Sequence, residues 1–254
     1  MADSHSPAPD YGLDAQSVVR NLAIGGIACI AAGLLFYVGT RSMNSLLGGF
    51  LFLWGVMAGS SMSVVALLMT RSSRTGKLKE RDELLASLDL AGGEVVVDLG
   101  CGRGLLAIGA AKRLTTGRVI GLDLWNPKDQ RGASPETLAE NALLEGVSHR
   151  LEIKTGDMQD IPLPDSSVDI VLSSLAIHNI PSTDGRRKAV GEIARILRPA
   201  GRVALLDFQA TAEYEQSLRG LGWQDVTRSP LRWGMFPPIR IVTGTKPKSH
   251  SGAA

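Results

Sequence analysis

Two long uncharged runs stand at the front of the chain. Asn21 to Gly39 holds no charged residue, and a second run extends from Ser42 to Thr70; only Thr40 and Arg41 separate them. A helix crossing a bilayer core needs about 20 apolar residues, with roughly 17–25 usual. Both runs meet that length, the second with its spanning part at Leu46 to Leu68. The short break allows only a tight turn. The pattern predicts a two-helix transmembrane hairpin over residues 20–70, in contact with the lipid bilayer. A buried helical hairpin in a soluble oligomer is the alternative. A cleaved signal fits poorly, because its apolar core is usually about 7–15 residues after a positive region. Here Asp3, Asp10 and Asp14 precede a single Arg20.

Small residues recur along both runs: Gly25, Cys29 and Gly33 in the first, Gly55 and Gly59 in the second. Spacing of this kind lets two helix backbones approach closely. Contact within the hairpin is the favoured use; a homodimer through the transmembrane helices is the other. Residues 1–19, rich in Ser, Pro, Asp and Ala, are expected to be a flexible tail. Residues 71–80 form a basic linker, where Arg71, Arg74, Lys77 and Lys79 lead on to Arg81. Positive residues flanking a span stay on the cytoplasmic side. The following domain, 81–247, is therefore expected in the cytoplasm, with a disordered tail at 248–254.

After the linker the period changes. Lys79–Leu90 reads as an amphipathic helix, halted by Ala91, Gly92 and Gly93. Val95 to Val97 is a short β-branched run, as in a strand buried on both faces. Strands are also expected at Arg118–Leu122, Leu151–Lys154, Val168–Ser173 and Val203–Asp207. Helices are expected at Leu105–Leu114, Pro135–Glu145 and Gly185–Leu197. Such alternation predicts an α/β fold, a parallel sheet with helices on both faces and right-handed crossovers. A helix near Ala212–Leu221 then precedes two extended stretches, Asp225–Leu231 and Ile239–Thr245. These suit an antiparallel hairpin closing the sheet edge.

Composition narrows the chemistry. A formal net charge of +2 over 254 residues gives no basic excess, so no nucleic-acid partner is expected. The two cysteines, Cys29 and Cys101, make neither a disulfide framework nor a zinc pattern. The four histidines, at 5, 149, 178 and 250, form no HExxH, so no metal site is expected.

The informative segment is Val95-Val96-Val97-Asp98-Leu99-Gly100-Cys101-Gly102-Arg103-Gly104. It ends a strand and opens a helix, the edge where open α/β sheets bind ligands. Gly100, Gly102 and Gly104 alternate, whereas a dinucleotide loop spaces its third glycine differently and would need it at Leu105. Asp98, just before the loop, would repel a pyrophosphate and suit a cationic ligand end. Asp123 follows the next strand, where a carboxylate can accept hydrogen bonds from a ribose diol. Taken alone, Asp98 is equally a helix N-cap, and Asp157 a turn residue.

In this order and spacing the segment resembles motif I of the class I S-adenosylmethionine-dependent methyltransferases, of the small-molecule, quinone-methylating type. The resemblance runs over roughly residues 94–208. It implies a Rossmann-like sheet and S-adenosylmethionine as cofactor. Asp98, Gly100 and Gly102 match the residues holding the methionine end, Asp123 the ribose acid, and Gly156-Asp157-Met158 the adenine-contacting step. Ile193 to Gly201 is similar to the family's LKPGG link, with Ala200 between Pro199 and Gly201. The cofactor-binding set implied is Asp98, Gly100, Cys101, Gly102, Gly104, Asp123, Leu124, Asp157, Met158, Ser173 and Ser174. Cys101 also reads as a plain packing residue.

Methyl transfer is an in-line displacement, driven largely by alignment. A base is needed only when the acceptor carries a proton of high pKa. His178, after the fourth strand, is the candidate catalytic residue; a turn-capping role competes with it. Trp125 could cover an adenine face. Trp223, Trp233, Met235 and Phe236 could border an acceptor or pack in the core. The resemblance extends to arsenic-methylating enzymes, but two cysteines cannot supply their acceptor set. A membrane-anchored methyltransferase acting on a small lipophilic acceptor (a quinol, a lipid amine or a thiol) is the expected function. A non-catalytic cofactor-binding membrane module and a nucleotide-dependent oxidoreductase are the alternatives.

Overall fold

The computed structural model describes residues 8–40 and 45–248. The chain divides into two compact units, Leu13–Gly76 and a second made of the segment up to Gly12 together with the chain from Lys77 onward.

The first unit holds two long helices, α1 (Gln16–Thr40) and α2 (Ser45–Arg71). The expected tight turn at Arg41–Asn44 falls outside the described residues. The helices pack through their glycines. A Cβ added at Gly55 would stand 2.7 Å from the Cys29 carbonyl oxygen, and one at Gly59 would stand 2.5 Å from that of Gly26. The seam that could have paired two copies is thus filled by the chain's own second helix. Outward from it, Ile27, Leu35, Leu46, Trp54 and Leu67 are largely exposed.

The basic linker is helical. Residues Ser72–Gly76 make one wide π-type turn, and α3 (Lys77–Ser87) follows at once. Lys77 is buried, its Nζ donating to the carbonyls of Tyr11 (2.9 Å) and Gly12 (2.6 Å). Within the segment expected as a tail, Asp10 and Tyr11 are held by side chains of the domain. Asp10 N donates to Asn141 Oδ1, Asn141 Nδ2 donates back to the Asp10 carbonyl, and the Tyr11 hydroxyl donates to Glu145. Polar side chains of the domain, not local propensity, hold Asp10–Gly12 in place.

The domain's sheet has seven strands in the order β3-β2-β1-β4-β5-β7-β6. These are β1 (Val95–Leu99), β2 (Arg118–Asp123), β3 (Leu151–Thr155), β4 (Val168–Ser174), β5 (Leu197–Asp207), β6 (Gln224–Arg228) and β7 (Arg240–Thr245). The first five are parallel; β7 runs antiparallel between β5 and β6. The expected hairpin therefore closes the edge with its second strand inside and its first outside. Helices α4 (Leu105–Ala111), α5 (Pro135–Leu144), α6 (Thr183–Ile196) and α7 (Thr211–Gly220) complete the layers.

Alternation along β1 assigns its faces. Val96 belongs to one core with Leu84, Leu85, Leu106 and Leu138, while Val97 and Leu99 belong to the other with Val190, Ile193 and Tyr214. Asp98 shares the face of Val96, under the start of α4. Strand β5 begins at Leu197, earlier than the expected Val203, and absorbs the Pro199-Ala200-Gly201 link. Ala200 takes a left-handed φ of 63° there, where the family pattern has glycine.

Candidate active site

The glycine loop leaves β1 at Leu99 and enters α4 at Leu105. Gly104 caps the helix with φ 90° and no side chain, so the first backbone N–H groups need another acceptor. Asp98 supplies it: its Oδ2 accepts from Ala107 N at 2.8 Å. The capping and ligand readings of Asp98 thus describe one carboxylate. That group is 2% exposed. Burial pushes its pKa up to about 7, further raised by the charge of Asp123 and opposed by the Ala107 hydrogen bond. No cation is among the groups acting on it. A buried acid with no cationic partner at a ligand edge fits the ammonium of a methionine end.

Asp123 pins the loop from the next strand. One oxygen accepts from Gly102 N at 2.8 Å and the other from Trp125 N at 2.7 Å. A carboxylate has about four lone-pair positions, so a diol could still be received. Gly100, with φ 70°, lies so close to the turn after β4 that an added Cβ would stand 2.2 Å from Ala176 Cβ and 3.5 Å from Met158 Cε. Gly100, Met158 and Ala176 therefore meet at one point. Gln130, which the sequence did not single out, sits on the loop: its Oε1 accepts from Arg103 N and lies 2.2 Å from where a Gly102 Cβ would be.

Other members of the expected set are placed differently. Cys101 is buried with its Sγ near Gly121, and burial raises its thiol pKa well above the usual value. Its side chain packs; only its backbone belongs to the loop. Ser173 is 2% exposed and donates to the Leu99 carbonyl across β1 and β4, so its hydroxyl is committed to the sheet. Ser174 is half-buried at the strand end. Leu124 is 56% exposed beside Asp123. Asp157 Oδ1 accepts from Gln159 N at 2.8 Å, closing a turn. The Trp125 indole donates to the Thr155 hydroxyl at 2.8 Å, which orients the ring. Trp223 and Met235 are core residues, whereas Trp233 is exposed.

His178 lies in the turn after β4. Its Nδ1 is 2.9 Å from Asp207 Oδ1, away from ideal hydrogen-bond alignment and with no other partner. Its ring meets Phe208 edge-on, the centroids 4.6 Å apart. Asp207 ends β5 and is 1% exposed. In the sequence it was only the last residue of an expected strand.

Comparison with known proteins agrees with this geometry. Residues 97–205 match the family model described as a methyltransferase domain. A demethylmenaquinone methyltransferase from Lactobacillus johnsonii is 32% identical over 165 residues, covering 65% of this chain and 60% of that relative. The chain thus spans less than two thirds of the relative's length. Among solved structures, a SAM-dependent methyltransferase from Aquifex aeolicus aligns with TM-score 0.52 at 18% identity, covering 66% of this chain and 90% of its own. A geranyl diphosphate C-methyltransferase from Streptomyces coelicolor, complexed with S-adenosyl-L-homocysteine, aligns with TM-score 0.52 at 13% identity, covering 66% and 78%. These two share the fold. The sheet order, the loop with its two acids and the matched residues 97–205 are similar to those of the class I S-adenosylmethionine-dependent methyltransferases.

Proposed function

We propose that this chain is a membrane-anchored enzyme that moves a methyl group from S-adenosylmethionine to a small lipophilic acceptor by in-line displacement. The observation that carries the cofactor assignment is Asp98, a buried carboxylate awaiting a cation beside three alternating glycines. In this reading Asp98, Gly100 and Gly102 receive the methionine end, Asp123 the ribose, and Asp157 with Met158 the adenine. The methyl donor needs no protein nucleophile, so the chain's own work is to align the acceptor.

Membrane anchoring rests on α1 and α2. Each is long and apolar enough to cross a bilayer, and only 11% and 17% of their most apolar windows are buried within the chain. Their outward Ile, Leu, Phe and Trp side chains call for an apolar surrounding. The positive flank that would set a cytoplasmic orientation is reduced by the structure. Lys77 is spent on backbone carbonyls, which leaves Arg71, Arg74 and Lys79 as flanking charges. An acceptor that partitions into lipid would be met where it is dissolved; the Lactobacillus relative is named for a quinone.

The test is incubation of membranes containing the chain with methyl-labelled cofactor, followed by extraction. A labelled lipid-soluble product that disappears with Asp98→Ala supports the reading. Label confined to water-soluble products, or none at all, refutes it. Extraction of the full chain by carbonate without detergent would separately refute the anchor.

A further inference from the structure

We propose that His178 is the general base of methyl transfer, that Asp207 is its positioning residue, and that the acceptor is consequently a hydroxyl compound such as a phenol or hydroquinone. This rests on the methyltransferase reading above and narrows its substrate class.

The cluster is built from three elements at the carboxyl edge of the sheet. Asp207 ends β5, Tyr214 comes from α7, and His178 follows β4. Burying a carboxylate is costly unless it is fully hydrogen-bonded. Asp207 Oδ1 accepts from Phe208 N at 2.8 Å and Gln209 N at 3.4 Å, and Oδ2 accepts from the Tyr214 hydroxyl at 3.0 Å. Burial and the Asp207 charge push the Tyr214 phenol far above its ordinary pKa. Tyr214 is therefore locked as a donor and cannot relay a proton. Beyond it, Arg186 and Glu213 pair at 2.8 Å and close the charged surroundings.

What remains for Asp207 Oδ1 is His178 Nδ1, at 2.9 Å. The contact is close but not aligned as a hydrogen bond; a small turn of the ring would let Nδ1–H donate to this oxygen and leave the lone pair on Nε2. Nε2 has no hydrogen-bond partner among the described residues, and the side chain keeps 12% exposure. A purely structural histidine would ordinarily use both nitrogens. Ala176, two residues earlier in the same turn, is the residue that meets Gly100 of the glycine loop.

A neutral amine or a thiolate attacks without a base, whereas a hydroxyl gains most from one. In the step, the acceptor hydroxyl gives its proton to Nε2 as its oxygen bonds to the methyl carbon. The carbon–sulfur bond breaks and sulfur keeps the electron pair. The products are a methyl ether, S-adenosylhomocysteine and an imidazolium held by Asp207. Loss of that proton to water restores the enzyme.

The test uses the full chain in lipid nanodiscs. Nitrogen-15 spectra of the histidine rings should show the Nδ1–H tautomer for His178. Asp207→Asn should mix the tautomers, since the neighbouring carboxylate oxygen is what favours the proton on Nδ1. With membrane extract as acceptor source, His178→Gln should reduce kcat about 10²-fold or more and abolish the acid limb of its pH profile, with cofactor affinity unchanged. Asp207→Asn should reduce kcat at least tenfold. If Asp207→Asn misfolds, His178→Gln, a change at a partly exposed turn, decides alone. An Nε2–H tautomer in the wild type, or an unchanged pH profile in His178→Gln, overturns the proposal. Absence of any labelled product from the wild type refutes the methyltransferase reading instead, and the tautomer then judges the His178–Asp207 pair.

Discussion

Asp98 should oppose folding and favour cofactor binding, and the two effects can be measured on one substitution. In the ligand-free chain its pKa lies at about 7 instead of the ordinary 3.8. Below pH 3.8 both folded and unfolded chains hold the proton, and nothing is lost. Between about 4 and 7 the unfolded chain releases it while the folded chain retains it, so stability falls as pH rises. Above 7 the loss is complete. A difference of some three pH units at about 1.4 kcal/mol each gives about 4 kcal/mol. Asp98→Asn keeps an oxygen acceptor for Ala107 N and removes the charge. It should therefore raise the ligand-free chain's stability at pH 8, by up to about 4 kcal/mol in denaturant unfolding. Binding should respond in the opposite sense. If the cofactor's ammonium pairs only with ionised Asp98, apparent affinity follows the ionised fraction, about 0.03 at pH 5.5 and about 0.5 at pH 7. Calorimetry should then find about fifteenfold tighter binding at pH 7 than at 5.5, with about half a proton released at pH 7. In Asp98→Asn the affinity should be weaker at pH 7 and level across this range. A level profile in the wild type, or an Asn variant less stable than wild type at pH 8, would refute the reasoning.

Asp123→Ala removes the acceptor of Gly102 N and Trp125 N as well as the expected ribose partner; cofactor affinity should fall more than tenfold by equilibrium dialysis, at about 1.5–3 kcal/mol per bond to a charged group. Tyr11→Phe deletes the hydrogen bond to Glu145 and should cost about 1–3 kcal/mol in denaturant unfolding; no change would mean that the docked segment contributes nothing. Gly59→Leu sets a side chain against the Gly26 carbonyl and should widen label-to-label distances between α1 and α2 by several ångströms; unchanged distances would contradict the glycine seam.

Much of the fold was legible because it is written locally. The uncharged runs announced α1 and α2, Val95–Val97 announced a buried strand, and the glycines at 100, 102 and 104 announced a backbone that must turn tightly after it. Strand and helix alternation then limited the sheet to one class of topology. Boundaries shifted where tertiary contacts intervened: β5 starts at Leu197 because it pairs with Val168 on β4.

Sequence by itself determined the glycine loop and the acids that flank it, since Asp98, Gly100, Gly102 and Asp123 lie within a single strand–helix–strand unit whose geometry follows from its spacing. It could not tell that the Ser173 hydroxyl serves Leu99, that Cys101 packs on Gly121, or that Asp10–Gly12 docks on the domain. Nor could it join His178 to Asp207, 29 positions apart, or back that acid with Tyr214 from a later helix. Those pairings arise only when β4 and β5 lie side by side and bring their carboxyl ends to one edge. Side-chain spacing along a chain encodes an element; only packing between elements decides which polar groups face one another.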